Sequence, residues 1–410
     1  GRRRGVKVLI VTQYFWPENF RVNDLALGLK ERGHEVTVLT GQPNYPGGRF
    51  FEGYGALSRS EERYEGIRVC RVPVVSRGPG KGLRLALNYL SFAISASLLG
   101  PFYCREKYGA VFVFEPSPVT VAIPGIVMRE LKGAPLFLWV LDLWPESLSA
   151  TGAVSSGTIL RMVGAMVRFI YRNCDRILVS SRGFTERVVA AGFPEKSVSY
   201  FPNWVEDVYA GGSAVVAEPQ DLPDGFRVVF AGNLGAAQGL PTILAAAEKL
   251  RGDTGLHWVL IGDGRMADWL RVEVSRRGLS GTVHLLGRHE PGAMPGFFSA
   301  ADALLVSLRR DPAFTLTVPG KVQSYMACGR PLIASLEGEG AALIAESGSG
   351  LVCPPEDPEA LAAAVTRLKN MSVDERVRMG KAGAAYAAAN FSRGDLLNRL
   401  ADWIETAAKK

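Results

Sequence analysis

Two carboxylates and a tryptophan stand together in Asp142-Leu143-Trp144-Pro145-Glu146-Ser147, and a lysine follows a proline–glycine turn at Pro319-Gly320-Lys321. Carboxylates so placed can orient a hydroxyl and take its proton. A lysine at the start of a helix adds its charge to the backbone dipole, an arrangement suited to a diphosphate. Arg309 and Arg310 lie just upstream and could add to it. Each motif has a plainer reading, since Asp142 or Ser147 can cap a helix and Lys321 can be a solvated lysine. The runs Ala231-Gly232-Asn233-Leu234-Gly235 and Ile261-Gly262-Asp263-Gly264 bring glycines to places where backbone N–H groups can approach a phosphate. The loop Gln13–Asn23 is polar and aromatic and lacks the G-x-G-x-x-G spacing of a dinucleotide site.

These residues need elements to hold them. Val6–Thr12, Glu35–Thr40, Ala110–Phe114, Leu136–Leu141 and Ile177–Ser180 are short apolar runs that predict strands, with a helix expected at Asn23–Arg32. Near-continuous apolar strands alternating with helices indicate a parallel sheet covered on both faces. Val198–Asn203 leads into a stretch from Glu206 to Gly225 that reads as a linker, with a hinge expected around Asn203–Gly212. The pattern then restarts with strands at Phe226–Ala231, Trp258–Gly262, Val283–Gly287, Ala303–Ser307 and Pro331–Ser335, and a helix at Thr242–Leu250. The expected architecture is α/β: two Rossmann-like doubly wound domains facing across a cleft, with ligands beyond the carboxyl ends of the strands. The domains are placed at 1–205 and 206–389, and a last helix within 390–410 (Leu396–Ala408) is expected to pack back on the first.

Composition narrows the partners. The chain has 410 residues, 47% hydrophobic and 21% charged, enough for two or three cored domains and unlike a disordered chain. Five dispersed cysteines suggest reduced, mostly buried thiols in a cytoplasmic protein. Four histidines without metal-ligand spacing make zinc unexpected. No signal peptide is read ahead of Val6, and Leu83–Cys104, interrupted by Arg84, Asn88 and three serines, is not read as a membrane span. The net charge of +7 is carried by the first half, the second being slightly acidic. That half is expected to face an anion: phospholipid, a lipid diphosphate or nucleic acid. Arg71, Arg77, Lys81 and Arg84 beside the apolar Leu85–Leu99 suit an anionic membrane surface. Nucleic acid is disfavoured, because aromatics do not alternate with a basic stripe and Arg2–Arg4 stands alone.

Taken in order, Gln13–Asp24 (QYFWPENFRVND), Gly41–Gly48 (GQPNYPGG), Asp142–Ser147, Ala231–Leu240 (AGNLGAAQGL), Ile261–Gly264 (IGDG) and Pro319–Pro331 resemble glycosyltransferase family 4, near its bacterial L-fucosamine transferase-like branch. The resemblance covers nearly the whole chain. It implies a GT-B fold, a nucleotide-sugar donor on the second domain, no obligatory metal or other cofactor, and retention of anomeric configuration. It further implies an acceptor on a polyprenyl-diphosphate carrier at the inner face of the membrane, in exopolysaccharide, capsule or O-antigen synthesis, with a UDP-N-acetylamino sugar as the expected donor. The donor side then takes in Gly232, Asn233, Gly235, Gln238, Asp263, Arg288, His289, Arg309, Arg310, Lys321, Ser324 and Glu339. The acceptor side takes in Glu18, Asn19, Arg21, Tyr45, Glu115 and Trp144, while Asp142, Glu146 and Lys321 are the candidates for catalysis.

The chain departs from the family pattern in three places. The arginine and lysine that hold the diphosphate in most relatives fall at the neutral Asn233 and Gln238, so Lys321 is expected to supply the charge, with Arg309 or Arg310 in support. The paired glutamates that hold sugar and ribose fall at Ser324 and near Leu316. A histidine of the first domain is missing, and Glu115 and Asp142 occupy comparable places. Charge develops on the leaving phosphate, so the main task is electrostatic, with Asp142 and Glu146 orienting the acceptor. The rival readings are transfer to a soluble acceptor, a sugar-nucleotide epimerase on the same scaffold, and a donor-binding protein without turnover.

Overall fold

The computed structural model describes residues 5–58, 60–150, 154–210, 219 and 222–409. Two compact units emerge, Gly1–Pro202 with Gly394–Lys410 and Asn203–Arg393.

The first unit holds β1 (Lys7–Val11), β2 (Glu35–Gly41), β3 (Glu61–Tyr64), β4 (Ile67–Val72), β5 (Ala110–Glu115), β6 (Leu136–Val140), β7 (Arg176–Val179) and β8 (Val198–Tyr200). They form one sheet in the order β3-β4-β2-β1-β5-β6-β7-β8, parallel throughout except for the β3–β4 hairpin. Every residue of β5 and β6 is buried, as expected for strands with both faces covered. The helices are α1 (Arg21–Glu31), α2 (Gly82–Tyr103), α3 (Ala122–Lys132), α4 (Glu146–Ala150), α5 (Gly157–Arg172) and α6 (Phe184–Ala190). Right-handed crossovers stepping from β5 to β8 put α3, α5 and α6 on one face. There α3 packs against both α2 and α5.

In the second unit, β9 (Phe226–Ala231), β10 (Leu256–Ile261), β11 (Val283–Gly287), β12 (Ala303–Ser307), β13 (Leu332–Ser335) and β14 (Gly350–Cys353) form a parallel sheet ordered β11-β10-β9-β12-β13-β14. Alternation along its strands divides the core. Val228, Phe230, Trp258 and Leu260 enter one cluster, whereas Val229, Val259 and Ile261 enter the other. The helices are α7 (Asp207–Ala210), α8 (Leu240–Lys249), α9 (Ala267–Arg276), α10 (Met294–Ser299), α11 (Pro312–Thr315), α12 (Lys321–Ala327), α13 (Glu339–Ser347), α14 (Pro358–Asn370) and α15 (Val373–Asn390).

The last helix, α16 (Arg393–Ala407), belongs with the first unit. Arg32 Nε donates to Asn398 Oδ1 at 2.9 Å. Leu397 fills the space over Gly28, where an added Cβ would come within 2.3 Å of it. The expected linker begins instead with α7, and residues 211–218, 220 and 221 lie outside the described residues, as do Arg2–Arg4.

Two expectations about the first unit change. Arg71 is no surface cation: it is buried, paired with Glu62, and donates to the carbonyls of Gly41 and Trp16. A buried guanidinium needs such a full set of acceptors, and the hairpin strand β3 supplies the carboxylate. Arg77 is likewise engaged, donating to the Tyr14 hydroxyl at 3.0 Å and lying over the Tyr45 ring. Helix α2 is long and apolar enough to cross a membrane by length and composition. It is nevertheless built into the unit, since Asn88, Phe92, Ala93, Ala96 and Gly100 are buried and Asn88 donates to Val75 O.

Candidate functional site

In the second unit the glycine run after β9 and the start of α12 come together. Gly232 has φ +142, open to glycine alone in practice, and a Cβ there would lie 3.0 Å from Lys321 Nζ. The next glycine run fits beneath it: Gly262 has φ +140, and a Cβ would come within 1.8 Å of Gly232 O. Tyr325, buried one turn along α12, ties that helix to the end of β9, its hydroxyl accepting from Ala231 N at 2.9 Å and lying 3.1 Å from Ala231 O. Lys321 is thereby fixed over the Phe230 ring, 4.0 Å from its centroid, with Nζ donating to Gln238 Oε1 at 3.1 Å. Burial pulls this ammonium down to about 7. No carboxylate forms a salt bridge with it among the described residues, so an entering anion would meet a cation held only by a neutral amide and a ring face.

The other donor-side residues divide. Arg309 N donates to Ala237 O at 2.9 Å, bringing the end of β12 beside Gln238, and its side chain reaches Asp311. Ser324 follows Lys321 by one helical turn. Asn233 and Gly235 lie against each other, and Gly264 packs on Asn233. Asp263 turns its Oδ1 back to Gly264 N at 2.8 Å, which closes its own loop. Arg310 is exposed and within 3.9 Å of Glu337. Arg288 is exposed beyond β11, and His289 bonds Leu286 O at 3.2 Å with its ring edge-on to Phe297. Glu339 opens α13, next to Gly340, which packs on Pro319. His257 and His284 do meet, at 3.0 Å across neighbouring strands, which their sequence spacing conceals. No group of three or more metal-ligating side chains occurs among the described residues.

In the first unit, the ends of β5 and β6 carry a second cluster. Asp142 Oδ2 accepts from Trp144 Nε1 at 3.2 Å and from Ser147 Oγ at 3.0 Å. Trp144 Nε1 also reaches Ser117 Oγ, a residue held at φ +134, where non-glycine residues are strained. Glu115 is wholly buried, and neither carboxylate oxygen has a hydrogen-bond partner. Burial first, and the neighbouring Asp142 second, push the Glu115 carboxyl well above its usual range. Burial also raises Asp142, against the hydrogen bonds it accepts. Two carboxyls that cannot both ionise cheaply form a place where a proton is held. Tyr171 of α5 was not singled out from the sequence. Its phenol is raised by burial first, and then by the fields of Glu115, Cys174, Glu146 and Asp142. With Val167 and Ile170 it reads as one apolar helix face, which masks it.

The loops after β1 and β2 are stapled rather than open. Glu18 accepts from Phe15 N at 3.1 Å and from Asn44 N and Tyr45 N at 2.8 Å each. Its oxygens are thus spent on backbone amides, and its place is to hold two loops together. Burial outweighs those bonds and lifts its carboxyl to about 7. Asn19 is exposed, Arg21 starts α1, and Tyr45 packs on Tyr14 and Phe20.

Comparison with known proteins fits both halves. Residues 19–204 match the glycosyl transferase 4-like domain, and residues 225–370 match the glycosyl transferases group 1. The putative colanic acid biosynthesis glycosyl transferase WcaI of Escherichia coli is 27% identical over 351 residues, 82% of this chain and 84% of that one. The sucrose-phosphate synthase of Thermosynechococcus elongatus superposes with a TM-score of 0.73 at 19% identity, covering 98% of this chain and 99% of that one. Anabaena HepE in complex with UDP superposes with a TM-score of 0.68 at 13% identity, covering 98% and 100%. Two parallel-sheet units, each matched by its own glycosyltransferase domain, make this chain a member of the family-4-like glycosyltransferases with the GT-B fold.

Proposed function

We propose that this glycosyltransferase acts in polysaccharide biosynthesis, moving a sugar from UDP, most simply an N-acetylamino sugar, onto a saccharide carried by a polyprenyl diphosphate. The observation that carries the donor half is Lys321, a poorly solvated cation fixed beside Gly232 and awaiting an anion. The name of WcaI supports a polysaccharide product, and HepE with UDP supports the nucleotide. As UDP leaves, negative charge grows on its phosphate, where Lys321 and the N–H groups of the glycine run stabilise it. Asp142, held by Trp144 and Ser147, orients the acceptor hydroxyl. Retention follows if the leaving phosphate takes the acceptor proton, since no side chain of the first unit is placed as a nucleophile in this reading. The enzyme works without a metal, on the inner face of the membrane.

Membrane attachment rests on α2. Leu83, Leu87, Leu90, Ile94, Leu98 and Phe102 are all exposed and recur at helical spacing on one face, Leu83 being 77% and Phe102 65% exposed. A buried face toward the sheet and an apolar face outward describe a helix lying on a bilayer.

The test is a thermal-shift panel of UDP, GDP, ADP, dTDP and CMP. A ligand at 100 times its Kd adds about 2.7 kcal/mol to stability. A shift with UDP alone is expected, and no shift with any nucleotide would end the transferase reading.

A further inference from the structure

Beside the carboxylate cluster, a pocket opens between α4, α5 and α6. Leu143, Trp144, Leu160, Val167 and Tyr171 contribute apolar or aromatic walls, and three arginines contribute the charge. Arg161 and Arg168 come from α5, and Arg187 from α6. Among the described residues none of the three takes part in a salt bridge. Arg161 makes only long local bonds to Gly157 O and Thr158 Oγ1, both 3.4 Å. Arg68, Arg71 and Arg129 of the same unit are by contrast paired with Glu61, Glu62 and Asp175. The one carboxylate lining the pocket, Glu146, forms no ion pair with them. Three guanidiniums facing one carboxylate leave a net positive pocket that lacks its counter-ion.

The face of α5 sets apolar surface beside these arginines. At 100° per residue, Leu160, Gly164, Val167 and Tyr171 form the strip that lines the pocket. Arg161 and Arg168 form the next strip round the helix. Beyond it come Ile159, Met162 and Phe169, all exposed. The order round the helix is therefore pocket, cations, apolar surface. Because α3 bridges α5 to α2, the exposed apolar strips of both helices belong to one flank of the unit. Arginine forks suit phosphate oxygens, and an anion drawn to them would have apolar side chains on its outer side.

We propose that the Arg161–Arg168–Arg187 pocket binds the phosphoryl group of a lipid-linked acceptor, with the lipid chain running over the exposed strip of α5. This rests on the lipid-linked acceptor reading above and gives it a location. The pocket shares Trp144, Glu146 and Tyr171 with the carboxylate cluster. A phosphoryl group seated there holds the attached saccharide next to Asp142.

The experiment is a titration of the full chain, kept saturated with UDP so that the Lys321 site is filled, with farnesyl diphosphate, farnesol and inorganic diphosphate. The same titrations are made on Arg168→Gln and on the Arg161→Gln/Arg187→Gln pair. Farnesyl diphosphate is expected to bind the parent protein more tightly than either other probe, and each variant to weaken it by about tenfold or more. Melting temperature and the UDP shift are expected to stay unchanged, which sets aside misfolding. Farnesyl diphosphate binding that ignores these substitutions overturns the proposal. Equal binding of inorganic diphosphate also overturns it, since the pocket would then be a site for free anions. Absence of the UDP shift in the parent protein is a different failure, that of the transferase reading itself.

Discussion

At the scale of single residues, the candidate chemistry is set by burial acting on charge. Lys321 has lost hydration without gaining a carboxylate, and burial has brought its ammonium from 10.5 to about 7. A bound diphosphate favours the protonated form, so affinity is full below pH 7 and falls as pH rises through it. The Kd for UDP should weaken by about tenfold per pH unit above 7, and calorimetry in buffers of different ionisation enthalpy should record proton uptake on binding. Lys321→Met should bind weakly with no such slope; a slope surviving in that variant would remove Lys321 from the site. Glu115 poses the opposite case. Its native carboxyl keeps a proton that the unfolded chain releases above about pH 4.5. Stability is therefore lost as pH rises from 4.5 through the native value. Glu115→Gln removes that loss, so its melting temperature should decline less between pH 5 and 8 than that of the parent. Turnover should fall with it, the exchange of stability for activity expected where a buried carboxyl serves the reaction. Parallel melting curves for the two proteins would show that the carboxyl is not held neutral.

Elements explain which parts of this could be read in advance. The strands β1, β2, β5, β6, β9, β11 and β12 are apolar runs bounded by turn residues, and their positions agree with the sequence reading to within about two residues. The hairpin strand β3 (Glu61–Tyr64) was hidden, because EERY alternates charge with charge and only pairing with β4 makes it a strand. The edge strands β8 and β14 are short and half-exposed, so periodicity says little about them. The glycine runs and Lys321 were legible because glycine at a strand end has few other uses. The arginine pocket was not, since Arg161, Arg168 and Arg187 converge only once α5 and α6 lie side by side. Helix α2 was half legible: its apolar length and an apolar surface beside basic residues were expected, but not which of its residues turn outward. Changing Leu90, Ile94 and Leu98 together to Gln should leave the melting temperature nearly unchanged, since all three are exposed. Each buried leucine contributes about 1.5–3 kcal/mol on leaving water, so co-flotation with anionic vesicles should drop more than tenfold. A triple variant that floats as well as the parent would acquit α2 of membrane contact.

At the scale of the whole molecule, the two units follow one plan. Strand order reverses between β1 and β5 in the first and between β9 and β12 in the second, and the candidate residues gather beyond β5 and β6 in the first and beyond β9 and β12 in the second. Charge divides with the units: the basic half carries the carboxylate cluster and arginine pocket, and the slightly acidic half carries Lys321. Neither unit alone holds both candidate sites. The path of the chain has its own consequence. The second unit is an insertion within the first, which is closed only by α16, through Leu397 on Gly28 and Asn398 on Arg32. During synthesis the later unit can be whole while the earlier one still waits on the ribosome for its closing helix, with the α1 surface around Gly28 bare. The first unit is thus the last to be finished, and a chain cut short before residue 394 would leave the ribosome with its second unit intact and its first unsealed.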